Sequence, residues 1–150
     1  MSTRFRSDEQ GFAGGAEALV FGLLIFVVGT LIVANAWGVV DTKLAVDAAA
    51  RQAARTYVEA ADAPTALDTA RHAAADALSG YGRDPAAARV TVSGLPWGRC
   101  TRVVITVSYP APLVRLPFVG WVGTGEDVRA AHSELVDPYR SGLPGPATCA

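Results

Sequence analysis

From Ala18 to Val40 the sequence reads ALVFGLLIFVVGTLIVANAWGVV, 23 residues without one charged side chain. As a helix rising about 1.5 Å per residue it reaches about 34 Å, slightly more than the roughly 30 Å hydrocarbon layer of a bilayer. The core helix of a water-soluble domain has a shorter apolar run, of about 10–14 residues, and keeps a polar face. The expectation is a transmembrane helix over 14–40 behind a polar leader at 1–13. Ala34-Asn35-Ala36 also resembles a small-x-small cleavage site, so a secreted protein cut after Ala36 is an alternative. Against it, the apolar run exceeds the roughly 7–15 residues of a signal sequence, and Asp8 and Glu9 offset Arg4 and Arg6 in the leader.

The charge balance narrows the partners. The net charge is −1, which lacks the basic excess that binds nucleic acid. Hydrophobic residues make up 51% and charged ones 18%, too apolar for a disordered chain. Arg4 and Arg6 precede the span and only Lys43 follows closely, which sets the N-terminus in the cytoplasm and the C-terminal part outside the cell membrane. Residues 41–150 hold eleven basic and eleven acidic side chains, so nothing there draws the chain to an anionic polymer or surface. Cys100 and Cys149 both fall in this outer part, where two thiols read as one disulfide tying the C-terminal tail to the body. Two cysteines and two distant histidines have no metal-ligand spacing.

Beyond the span, Asp41 to Ala61 is Ala-rich and lacks Gly and Pro, which continues the helix until Pro64. A second helix starts at Asp62 or Ala63, with Leu67, Ala70, Ala74 and Leu78 on one stripe and Gly80 and Gly82 at its end. The period then changes to two. Arg89–Ser93 reads as a short strand and Arg99–Tyr109 as a better one, with Val103, Ile105, Val107 and Tyr109 on one face. A third strand near Asp127–Val136 has weaker alternation. The fold class is α+β: a long stalk helix, a second helix and a small antiparallel sheet over 41–137, then an irregular Pro/Gly-rich tail at 138–150. Pro110 to Gly125 is apolar but broken by prolines and glycines; it reads as a loop covering the sheet, or as a surface patch for a partner or the bilayer interface.

No catalytic or cofactor motif stands up. His72 and His132 have no second ligand at helical spacing, Ser133 lacks a Gly-x-Ser-x-Gly turn, and Gly123-Thr-Gly125 lacks the third glycine of a dinucleotide loop. The expectation is a protein that is not an enzyme, with no cofactor, metal or small-molecule substrate.

The informative residues lie at the start of the apolar helix. Glu17 sits directly before the charge-free run, where a carboxylate either reaches the headgroups or meets the cation of a neighbouring subunit. Gly14, Ala18 and Gly22 are spaced four apart, and Gly15, Gly22, Gly29 and Ala36 seven apart, a pattern that lets membrane helices approach closely. Gln10-Gly-Phe-Ala-Gly-Gly-Ala-Glu17, the long apolar helix and the extension Asp47-Ala-Ala-Ala-Arg51-Gln-Ala-Ala-Arg55 together resemble the TadE-like family, small pilin-like membrane proteins of Flp/Tad (type IVb) pilus assembly. The resemblance is clearest over the first 60 residues, and the turn Trp97-Gly-Arg-Cys100, the strand ending Tyr109-Pro110 and the closing Val136-Asp-Pro138 are compatible with it. It implies partners among other pilin-like subunits, the Tad secretion and assembly machinery and the lipid bilayer. It also points to Gly11 and Phe12 as a processing position, although a cut there puts Glu17 sixth rather than at the family's usual fifth place. The alternative function is a generic signal-anchored adhesion or sensor module whose helix is only an anchor.

Overall fold

The computed structural model describes the backbone of residues 9–94, 97–116, 120–146 and 148–149, and their side chains except at 9–14, 16, 112–116 and 120–125. Helix α1 spans Glu9–Glu59 and α2 spans Ala63–Gly80. A single 3-10 turn, Pro85–Ala87, leads into β1 (Arg89–Ser93), β2 (Arg102–Leu116) and β3 (Gly120–Leu135). The strands form one antiparallel sheet in the order β1-β2-β3. The expected α+β class, a long helix, a second helix and a small antiparallel sheet, is what the chain adopts.

Two compact units divide the chain between Trp37 and Gly38. In the first, α1 carries no proline and leaves its large apolar side chains uncovered, with Leu19 76%, Phe26 71% and Trp37 71% exposed. Its polar side chains turn back on their own helix: the Thr30 hydroxyl donates to the Phe26 carbonyl (2.8 Å) and the Asn35 amide to that of Leu31 (2.7 Å). Such back-bonding satisfies polar groups where water is absent.

The second unit has a core built mostly from alanine. Ala45, Val46, Ala49, Ala50, Ala53, Ala54 and Tyr57 of α1 are buried in one cluster with Ala66, Ala70, Ala74 and Leu78 of α2 and with Val103, Ile105, Val107 and Tyr109 of β2. Paired positions such as 45/46 and 49/50 bury a broad arc of α1, wider than the single stripe of a surface helix. Alanine there permits close backbone approach. On α2 the buried position of the first turn is Ala66 rather than Leu67; Leu67 packs half-buried at the cluster's margin.

Local chemistry sets the boundaries. The Asp62 carboxylate accepts from the Thr65 amide (2.9 Å) and hydroxyl (2.7 Å), capping α2 with Pro64 in its first turn. At the other end Gly82 takes φ +66, so that Gly82 N–H donates to Ser79 O and Arg83 N–H to Leu78 O, a Schellman closure. Gly94 (φ +96) ends β1 where a Cβ would lie 2.1 Å from the Arg102 carbonyl oxygen, so only glycine fits.

Two expectations are revised. The second strand starts at Arg102, not Arg99, because Gly98–Thr101 form a turn in which Cys100 takes φ 62. The segment expected as a broken loop instead extends the sheet: β2 continues through Pro110 and Pro112, and Val114 pairs with Val122 and Leu116 with Gly120. Proline is tolerated there because β1 pairs only with Val104–Ser108, leaving β2 beyond Ser108 with a free edge. A register shift between Pro110 and Pro112 absorbs the irregularity. Residues 117–119 lie outside the described residues.

Candidate functional site

The residues singled out in the apolar helix are placed by its regular geometry. At about 100° per residue, Gly15, Ala18, Gly22, Gly29 and Ala36 fall within an arc of about 60°. A methyl group built on Gly15, Gly22 or Gly29 meets nothing within 4 Å, so no contact within this chain requires glycine there. Glu17 is exposed but lies about 140° around the helix from Gly22. The carboxylate and the small-residue seam therefore face different directions, and a single neighbouring helix does not satisfy both. Gly11, Phe12 and Gly14 are helical in backbone, and their side chains lie outside the described residues. The helix is long and apolar enough to cross a membrane, with a mean hydropathy of 2.5 and none of that window buried.

In the second unit, polar contacts join distant segments. Arg83, held by the Schellman closure, pairs with Asp41 near the start of the unit's share of α1 (2.5 Å). The Lys43 ammonium donates to the Arg129 carbonyl of β3. At the C-terminal end of α1 the Arg140 guanidinium donates to the carbonyls of Val58 (2.7 Å), Glu59 (3.1 Å) and Ala60, and lies 5.8 Å from the centroid of the Trp97 ring. Helix α1 has no basic residue in its last turn, so this cation supplies the charge its C-terminus attracts. Sequence reasoning missed it because the partners are some 80 residues apart, and the only local signal was the turn-forming Asp137-Pro138.

Cys100 and Cys149 come together as expected, in a disulfide with an S–S distance of 2.03 Å and Cα atoms 5.2 Å apart. The tail is laced to the turn before β2 by further bonds: Arg99 N–H donates to Pro144 O (2.9 Å), and Cys100 N–H to Val136 O (3.0 Å).

An open groove of about 580 Å³ runs along α1 and α2, lined by Ala48, Ala73 and Ala77 and rimmed by Gln52, Thr56, Thr69, His72 and Asp76. Its histidine and aspartate sit one turn apart on α2. The other histidine, His132, is bonded to Glu134 on β3 (3.2 Å). Among the described residues no three His, Cys, Asp or Glu side chains gather as a metal site.

No protein-family model, no curated protein and no solved structure matches the chain.

Proposed function

We propose that the chain is a single-pass, pilin-like membrane protein that serves in the assembly of Flp/Tad-type pili by packing its apolar helix against other subunits. The reading sets the N-terminus in the cytoplasm and the unit from Gly38 onward outside, and it involves no catalysis. One observation carries it: the same helix is buried among alanines after Gly38 and uncovered before it, with glycines that no contact in the chain requires. An apolar surface of that size belongs in lipid or against other apolar helices. The resemblance of residues 10–60 to the TadE-like family turns a generic anchor into an assembling one. Glu17 and the seam of Ala18, Gly22 and Gly29 face two directions, which suits a subunit with neighbours on two sides better than a closed pair.

Glu17→Gln and Glu17→Ala are expected to weaken co-purification with partner pilins while leaving the protein in the membrane fraction. Normal assembly by either variant removes Glu17 from the mechanism. Replacing residues 18–40 with an unrelated Leu/Ala span separates an assembling helix from a mere anchor: retained function supports an anchored adhesion or sensor module.

A second reading has one observation in its favour. The boundary at Trp37/Gly38 adjoins Ala34-Asn35-Ala36, so a cut after Ala36 releases the second unit nearly whole. Intact mass of the mature protein decides among these: a start at residue 1 or 2 means no processing, at 12 a prepilin-type cut, and at 37 secretion.

A further inference from the structure

Within the second unit, α1 and β3 run side by side in the same direction. Lys43 bonds the Arg129 carbonyl at one end, while Val58–Ala60 bond Arg140 just past the end of β3 at the other. The lengths agree: α1 rises about 22 Å from Lys43 to Val58, and β3 covers about 20 Å from Arg129 to Leu135. The opposite end of β3 therefore extends past Lys43, toward the end of the unit where α1 begins. From Arg129 back to Gly120 the strand covers about 30 Å, whereas α1 has only about 8 Å of this unit left between Lys43 and Gly38. The β2–β3 ribbon overhangs that end.

The overhang is two strands wide, because β1 stops at the Arg89–Ser108 pair. A two-stranded ribbon by itself is marginal in water. Its sequence is also unsuited to water: Arg115 is the one charged residue from Val103 to Gly125, among Leu113, Val114, Leu116, Trp121 and Val122. Arg115 and Trp121 are register partners. Tryptophan favours the membrane–water boundary, and arginine places its charge at the phosphates with its stem in the apolar layer. Pro110 and Pro112 remove amide donors from β2 beyond β1, which blocks the addition of another chain's strand there.

We propose that the ribbon formed by residues 112–116 and 120–124 is a second membrane contact, docking at the headgroup–acyl boundary of the bilayer that α1 crosses. This rests on the membrane reading above, in which the hydrocarbon layer ends near Val40 and the Gly38 end of the unit faces it.

The test uses full-length protein in phosphatidylcholine vesicles, with and without acyl chains brominated near the headgroup. Comparing the Trp37→Phe chain with the Trp37→Phe/Trp121→Phe chain isolates the Trp121 emission and leaves the core Trp97 in place. Brominated lipid is expected to remove the Trp121 share of the emission. Its persistence overturns the docking, whether aqueous iodide quenches Trp121 (ribbon in water) or fails to (ribbon against protein, including a second copy). Trp37, isolated in the same way in the Trp121→Phe background, serves as the control. If bromine spares Trp37 as well, the membrane reading itself fails; if it quenches Trp37 alone, only the docking does.

Discussion

Arg140 does the work of a helix cap from a distant part of the chain. It closes three carbonyls at the end of α1 that no residue of the helix itself satisfies, and Trp97 lies beside the same cation. Arg140→Ala is expected to lower the stability of the second unit by about 1–3 kcal/mol, read as a shift in a denaturant midpoint at unchanged slope. Arg140→Lys should recover only part, because one ammonium cannot bridge carbonyls as a planar fork does. Asp62 shows the opposite degree of legibility, since Asp-Ala-Pro-Thr announces a capped helix start in the sequence alone. The Thr65 hydroxyl, and then its amide, hold the Asp62 carboxyl below its ordinary value of 3.8. A carboxylate lowered on folding stabilises the fold above its unfolded value, and that contribution is lost as pH falls through the folded one. Acid titration of unfolding should thus show a loss below about pH 4 that is smaller in Asp62→Ala, a variant already less stable at neutral pH. An identical acid limb in both proteins would remove Asp62 from the account.

At the scale of elements, the sequence was most readable where a period meets a single environment. β1 matches its expected limits, and the buried face of β2 is the alternating set Val103, Ile105, Val107 and Tyr109. Reading broke down at Pro110 and Pro112, because proline breaks a strand with neighbours on both sides but not one with a free edge; which edge is free depends on where β1 stops, and that is set by pairing rather than by the local sequence. The helix packing was legible in composition but not in register: the Ala-rich run implied close contact, while the choice of Ala66 over Leu67 depended on the direction from which α1 approaches. That approach leaves no room for growth. Ala50→Leu is expected to cost about 1–3 kcal/mol through overpacking, whereas Arg51→Leu, one position along on the exposed side, should change stability little. Comparable losses from both, measured by thermal or denaturant unfolding, would mean that alanine is kept at position 50 for helix propensity and not for space.

For the whole molecule, the candidate assembly residues were visible as spacing, but their division between two directions emerged only when Glu17 and the glycines were placed on one regular helix. The outer part is neutral by compensation, so it offers no long-range field to steer or hold it, and its order rests on an alanine core and a covalent tie. In the chain-entropy account, a crosslink across 49 residues restricts the unfolded chain by about 4 kcal/mol, and measured effects run at about 2–4 kcal/mol. Cys100→Ser/Cys149→Ser should lower stability by that amount and free the tail that carries Arg140, exposing it to proteases before the rest of the unit unfolds. The same bond reports topology, because disulfides persist in oxidising compartments and not in the cytosol. In intact cells treated with a membrane-impermeant reductant, an impermeant maleimide is expected to label Cys100 and Cys149. Labelling that requires lysis but no reductant would set this unit on the cytoplasmic side and reverse the orientation inferred from Arg4, Arg6 and Lys43. The pilus reading would fall with it, since a unit that stays inside cannot meet subunits beyond the membrane.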